Sequence, residues 1–253
     1  MQKNKSNRKK VLPSCSVVIA AAGSSQRMAG EDKLFSTVCG APVLGHTLGA
    51  FVKCSLIGEI VVVARRDKLD RVSDLCMEYG GGKVSKVIAG GETRLESALN
   101  GVLAVSNKAR LIAIHDGARP CVTEDVIVRA VTAAVQRQAV APAIKVASTI
   151  KRAKFGCVLE TLDRENLFEI QTPQVFVSEI IKAALTNAVN KGAVVTDDCM
   201  AAELLGVAVY LTEGSRSNIK LTTEEDLGIA EAILSGCYRS GNRPPLITDC
   251  AEG

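Results

Sequence analysis

Short apolar runs rich in Val and Ile stand at Cys15 to Ala21, Glu59 to Ala64, Ser85 to Ala89, Leu111 to Ile114 and Val140 to Val146, and the chain between them has helical spacing. Runs with so little polar alternation suit strands buried on both faces. The long connections suit right-handed crossovers, so the pattern predicts an α/β fold with a mostly parallel central sheet flanked by helices. Helices are expected over Pro42 to Lys53, Asp67 to Tyr79, Arg94 to Val105 and Glu124 to Arg137, with Pro42 in a first helical position and Thr123 as an N-cap.

After Val146 the rhythm changes. Thr149 to Arg152 and Val158 to Thr161 are strand-like pieces on either side of Gly156, too close together for a helical crossover, and read as a hairpin. A strand at Gln174 to Val177, helices at Ser178 to Asn190 and Asp197 to Leu205, a strand at Val207 to Leu211 and a helix from Thr223 to Leu234 follow. The expectation is a single domain over residues 15–238 with a β-arm inserted at about Ser148 to Thr172. A disordered basic tail over 1–14 and a weakly ordered tail over 239–253 complete the predicted organisation.

Composition narrows the function classes. Of the 31 Lys and Arg, five fall within Met1 to Lys10, which leaves 26 basic against 27 acidic residues in the rest of the chain. A near-neutral body with 3% aromatics and no Trp argues against a nucleic-acid face, which needs a basic surface or stacking platforms. The nine cysteines are an odd number, none in C-x-x-C spacing, so neither a disulfide framework nor a zinc ribbon is expected. No apolar run approaches membrane-spanning length, and Val17 to Ala22 ends at Gly23 without a signal-peptide pattern, so a cytoplasmic protein with no membrane partner is expected.

Candidate chemistry lies at strand ends. The first strand runs into Ala20-Ala21-Ala22-Gly23-Ser24-Ser25-Gln26-Arg27-Met28, followed by Lys33. Small residues let backbone N–H groups approach a polyphosphate, and two cations would add charge to those dipoles. The stretch is neither a Walker loop nor a dinucleotide loop, and on turn chemistry alone it reads equally well as a tight turn with solvated charges. His115-Asp116-Gly117-Ala118-Arg119-Pro120 follows the fourth strand, where a carboxylate could hold Mg²⁺ against phosphate oxygens. His115 there is more readily a structural residue than a base. Gly90-Gly91-Glu92-Thr93-Arg94, with Glu96 and Ser97, permits close approach to a base or ribose. Thr149, Lys151 and Arg164 in the arm and Lys220 near the end form a set of donors for a phosphorylated acceptor, although surface charges are usually only solvated.

Together these motifs resemble the nucleotidyltransferase family that makes CDP-alcohols, and within it the 2-C-methyl-D-erythritol 4-phosphate cytidylyltransferases. The resemblance spans roughly Val17 to Leu234 and includes Thr149-Ile150-Lys151, Asp163-Arg164, Gln171-Thr172-Pro173-Gln174, Thr196-Asp197 and Asn218-Ile219-Lys220. It implies a Rossmann-like sheet of the nucleotide-diphospho-sugar transferase type. It also implies transfer of CMP from CTP to the sugar-alcohol phosphate, with Mg²⁺ held at Asp116. Ala21, Ala22, Gly23, Gly91, Glu92, Ser97, Asp116 and Gly117 would line the CTP site. Arg119, Thr149, Arg164, Thr172 and Lys220 would surround the acceptor, and Arg27, Lys33 and Lys220 would face the reacting phosphorus. The family's arm reaches into a partner subunit, which implies a homodimer with Arg164 acting in trans. Three positions depart from the family pattern: Ser148 stands where Asp is usual, Asp32 where Pro commonly precedes Lys33, and Gly117 where Ala is frequent. Ser148 removes a charge beside the acceptor, so ribitol 5-phosphate cytidylyltransferases, other sugar-phosphate nucleotidyltransferases and a nonenzymatic nucleotide-binding module remain alternatives.

Overall fold

A computed structural model describes residues 15–23 and 32–237. The two predicted tails and the segment 24–31, which includes Arg27, lie outside the described residues. The first strand, β1 (Cys15–Ala21), is followed by a 3-10 turn at Lys33–Phe35 and a small antiparallel pair, β2 (Thr37–Val38) and β3 (Ala41–Pro42). Helix α1 (Val43–Lys53) leads to β4 (Ile57–Ala64), α2 (Leu69–Tyr79), β5 (Val84–Ala89), α3 (Arg94–Ala104), β6 (Leu111–Asp116), α4 (Glu124–Arg137) and β7 (Ala139–Lys145). Strands β5, β4, β1 and β6 pair in that order, all parallel.

Both faces of this sheet are covered, which accounts for the uninterrupted apolar runs. Val17, Ile19 and Ala21 of β1 enter one core, formed with α1, α2 and α4, while Val18 enters the other, formed with α3. Alternate residues of β4 divide in the same way: Ile60, Val62 and Ala64 against Val61 and Val63. Burying each Val or Ile side chain among them contributes about 1.5–3 kcal/mol. Helix α3 lies close to the sheet because a Cβ at Gly101 would stand 2.4 Å from Val18 Cγ1.

The excursion leaves the sheet after Lys145. Strands β8 (Lys151–Lys154) and β9 (Cys157–Thr161) form a separate antiparallel hairpin, turning at Phe155 and Gly156 with φ of 51° and 79°. The chain re-enters the main sheet as β10 (Phe168–Ile170) and continues as β11 (Gln174–Val177), both antiparallel to β7. Val140 pairs with Val175 and with Tyr210, and Ala143 with Ile170 and with Glu213, so β10 and β11 lie end to end along one side of β7. Residues 171–173 interrupt them. The other side of β7 takes β12 (Tyr210–Glu213), in parallel. Between β11 and β12 come α5 (Ser178–Asn190) and α6 (Asp198–Leu204), and α7 (Glu225–Leu234) is the last described helix.

Three local expectations are corrected. Pro42 is not the first helical residue but the extended residue before it, with ψ 148°, because it pairs with Thr37 in the small hairpin. Thr123 occupies the N-cap position, yet its side chain makes no capping bond. The strand expected from Val207 begins at Tyr210, since the Val207 N–H is spent on Ala202 O to close α6, where Gly206 adopts φ 82°.

Candidate active site

The carboxyl ends of β1, β5 and β6 meet at one edge of the sheet, the place where open α/β sheets bind ligands. Ala20 pairs with Asp116, and the next residue after the strand, Gly117, donates its N–H to Ala20 O at 2.9 Å. Gly90 sits against Ala22 and Ser97 so closely that a Cβ there would lie 2.7 Å from each. The small residues at the end of β1 and after β5 therefore bring two loops together. Within the second loop, Ser97 Oγ donates to Thr93 O at 2.9 Å and accepts from Gly91 N at 3.1 Å. Glu96 Oε2 accepts from Glu92 N at 2.8 Å and Thr93 N at 3.0 Å, while Thr93 Oγ1 accepts from Glu96 N, a capping box that fixes the start of α3. Ser97 and the Glu92 amide thus shape the loop, and the Glu92 side chain is exposed.

Four charged groups converge beside these loops. Asp116 Oδ2 accepts from Lys220 Nζ at 3.0 Å and Arg119 Nε at 3.3 Å, with the carboxylate only 13% exposed. Burial opposes ionisation of Asp116, but Lys220 and Arg119 outweigh it and hold the carboxyl at about 2. Lys33 Nζ donates to Leu221 O at 2.5 Å, and burial together with the Lys220 charge pulls its ammonium below the ordinary lysine value. The turn carrying Lys33 is capped by Asp32, whose Oδ1 accepts from Leu34 N at 3.2 Å. Asp32 thus holds the turn through its side chain.

One loop, 214–222, organises this group. Its Asn218 O accepts from Arg119 Nη1 at 2.6 Å, its Leu221 O holds Lys33, and Lys220 between them reaches Asp116. The loop is fastened at both ends. Leu221 N donates to Ala118 O at 2.9 Å, and Gln171 donates from Nε2 to Ser215 O at 2.8 Å and accepts Ser215 N at 3.0 Å. The fully buried Asn218 donates from Nδ2 to Thr172 O at 2.8 Å, which ties the loop to the interruption between β10 and β11.

Thr172, expected at the acceptor, is buried, and its hydroxyl is engaged within the protein. Thr172 Oγ1 accepts Asp116 N at 3.2 Å and lies 2.9 Å from His115 Nδ1. His115 is fully buried and packs edge-on against Phe51 at 4.8 Å between ring centroids. Burial pushes its imidazole down to about 3, which removes it as a base near neutrality.

Lys33, Asp116, Arg119, Thr172 and Lys220 are therefore brought together, alongside Ala21, Ala22, Gly23, Gly91 and Gly117. Thr149 and Arg164 are not: both are exposed on the arm, where Arg164 Nη1 donates to Ala147 O at 2.6 Å. Arg27 lies outside the described residues. Gln171, Gln174 and Asn218 stand in the motifs of the resemblance without an assigned role, and Asp198 is not singled out in the sequence; all four are braces. Gln174 accepts Asp198 N at 3.1 Å and Cys199 N at 3.0 Å, and Asp198 forms a two-point ion pair with Arg94 at 3.0 and 2.7 Å. Their signal in the sequence is a polar residue where the surrounding pattern is buried, which only the fold distinguishes from a loop residue.

Among the described residues no three His, Cys, Asp or Glu side chains converge as a metal cage. Asp116 nevertheless fits a cation that draws most of its ligands from phosphates and water, because its Oδ1 accepts no hydrogen bond from the described residues.

A family model described as IspD: 2-C-methyl-D-erythritol 4-phosphate cytidylyltransferase matches residues 15–236. The chain is 43% identical over 221 residues to the 2-C-methyl-D-erythritol 4-phosphate cytidylyltransferase of Halalkalibacterium halodurans, a match covering 87% of this chain and 96% of the relative. It is 40% identical over 222 residues to the enzyme of that name from Caldanaerobacter subterraneus, covering 87% and 98%. Among solved structures, the 4-diphosphocytidyl-2C-methyl-D-erythritol synthase of Anaerococcus prevotii superposes with a TM-score of 0.78 at 32% identity, covering 88% of this chain and 96% of that one. The strand-end crevice, its basic loop and these matches together show that the chain belongs to the 2-C-methyl-D-erythritol 4-phosphate cytidylyltransferase family.

Proposed function

We propose that this crevice transfers CMP from CTP to 2-C-methyl-D-erythritol 4-phosphate, with release of pyrophosphate. The observation that carries this reading is the convergence of Lys33, Lys220 and Arg119 around Asp116, at the carboxyl ends of β1 and β6. The acceptor phosphate has a second pKa of about 6 and is largely dianionic near neutrality, so it needs no general base. One of its oxygens attacks the α-phosphorus. The bond from that phosphorus to the oxygen bridging to the β-phosphate breaks, and pyrophosphate leaves with the electron pair. A buried, neutral His115 agrees with a reaction that moves no proton.

The protein's task is then to position the two anions in line and stabilise the charge that spreads over the phosphoryl groups. Lys33 and Lys220 serve the α-phosphoryl and the departing pyrophosphate. Asp116 would hold a Mg²⁺ through Oδ1, and this cation, when bound, supplies electrostatic stabilisation of the triphosphate. Ala21, Ala22, Gly23, Gly91 and Gly117 present backbone to the nucleotide, and Arg119 faces the acceptor phosphate.

The arm completes the assembly. Phe155 is 94%, Val158 59% and Leu159 61% exposed on an otherwise polar hairpin, an arrangement suited to docking on a second copy of the chain. A homodimer would carry Arg164 and Thr149 to the partner's crevice, and the reducing cytoplasm suits a chain with five buried free cysteines.

The test is incubation with CTP, Mg²⁺ and, separately, 2-C-methyl-D-erythritol 4-phosphate or ribitol 5-phosphate. The expected result is a CDP-methylerythritol product of the right mass with stoichiometric pyrophosphate. A CDP-ribitol product alone would reassign the acceptor, and no pyrophosphate with either would leave a nucleotide-binding module.

A further inference from the structure

The hydrogen bonds around His115 fix more than the ring. The Arg119 carbonyl, 3.3 Å from Nε2, can only accept, so Nε2 carries the hydrogen. In a neutral imidazole Nδ1 then accepts, and the donor is the Thr172 hydroxyl at 2.9 Å. With its proton committed to His115, Thr172 Oγ1 has a lone pair for Asp116 N at 3.2 Å. The result is one directional chain, Asp116 N–H to Thr172 O–H to His115, and His115 N–H to Arg119 O. Its two ends are main-chain groups of the residues whose carboxylate is assigned to Mg²⁺ and whose guanidinium is assigned to the acceptor. Phe51 of α1 packs edge-on against the ring, and the charges of Asp116 and Arg119 act on it.

We propose that His115 is a positioning residue with two separable arms: Nδ1, through Thr172, sets the main chain of Asp116 for the metal and nucleotide, and Nε2 sets the Arg119 segment for the acceptor. The inference rests on the proposed reaction, and the wild-type assay above separates the failure of that reading from the failure of this one. The two arms can be removed singly. In His115→Asn the side-chain oxygen replaces Nδ1 and nothing replaces Nε2. In His115→Gln the amide nitrogen replaces Nε2 and nothing replaces Nδ1. His115→Phe removes both.

His115→Asn is expected to raise the acceptor KM about tenfold while keeping the Mg²⁺ concentration for half-maximal rate within about twofold of wild type. His115→Gln is expected to do the reverse, and His115→Phe to show both defects. Parallel changes in both constants across Asn and Gln would overturn the proposal in favour of general loosening, as would wild-type constants in all three. A measurement on the unmodified protein keeps the idea testable should the variants not fold. Long-range ¹H–¹⁵N spectra at pH 7, with His46 assigned by substitution, are expected to show His115 as the Nε2–H tautomer. An Nδ1–H tautomer or a rapidly exchanging mixture would refute the chain.

Discussion

Lys33 gives up solvent for one carbonyl, and burial together with the Lys220 charge weighs against its ammonium more than the nearby carboxylates of Asp116, Asp32 and Asp226 favour it. That is the condition of a group waiting for a phosphate. Lys33→Ala is accordingly expected to lower kcat by about a hundredfold or more, with little change in melting temperature, as steady-state kinetics and thermal melts would record. His115 imposes a different cost. Its folded value of about 3 lies below the ordinary 6.5, so as pH falls the unfolded chain takes up that proton first. Stability is therefore expected to decline below pH 6.5 by about 1.4 kcal/mol per pH unit from this group, levelling off as pH passes the folded value. Asp116, depressed to about 2 from 3.8, stabilises the fold above its unfolded value and adds a second decline below about pH 4. Urea midpoints of the wild type and His115→Gln between pH 7 and 4 check the first slope, which the variant is expected to lack.

At the scale of elements, the loop 214–222 is the part that turns separate motifs into a site. Asn218 fastens it to Thr172 through Nδ2, which also reaches Gln171 Oε1 at 3.4 Å, and its Oδ1 has no partner among the described residues. Asn218→Ala is expected to cost about 1–3 kcal/mol of stability, from the carbonyl left unpaired. Because Arg119 and Lys33 hang from the same loop, it is also expected to lower kcat by at least about tenfold, whereas a surface substitution would leave kcat unchanged. The motif Asn218-Ile219-Lys220 points to Lys220 from the sequence, but it gives Asn218 no role, because an Asn near a basic residue looks like any turn. Helix and strand positions were more legible. Arg94 to Val105 was read within one residue of α3, and Gln174 to Val177 matched β11, since burial imposes periods that survive in local sequence.

For the whole molecule, the arm stands apart from the crevice among the described residues. Its apolar tip is exposed and its Arg164 lies apart from the charged cluster. If Arg164 serves the partner's crevice, Lys33→Ala and Arg164→Ala chains, each nearly inactive at low acceptor concentration, are expected to complement one another. Half of randomly assorted dimers are mixed and each mixed dimer has one intact site, so co-expression is expected to restore about a quarter of wild-type activity. Absence of recovery, with mixed dimers shown to form, would place Arg164 in its own subunit's site.

The linear pattern was enough to establish alternating strands and helices, the doubly covered sheet and the polar residues at strand ends. These follow from burial acting over two- and four-residue repeats. Tertiary structure alone decided that β11 runs antiparallel between β6 and β7, and that Pro42 belongs to a hairpin rather than a helix. It also decided that Thr172, fifty-six residues from Asp116, supplies the oxygen for its amide, and that Lys33 finds its carbonyl 188 residues away at Leu221. Contacts across such separations are set by strand order and by which polar groups burial leaves unpaired. A local repeat carries no record of either.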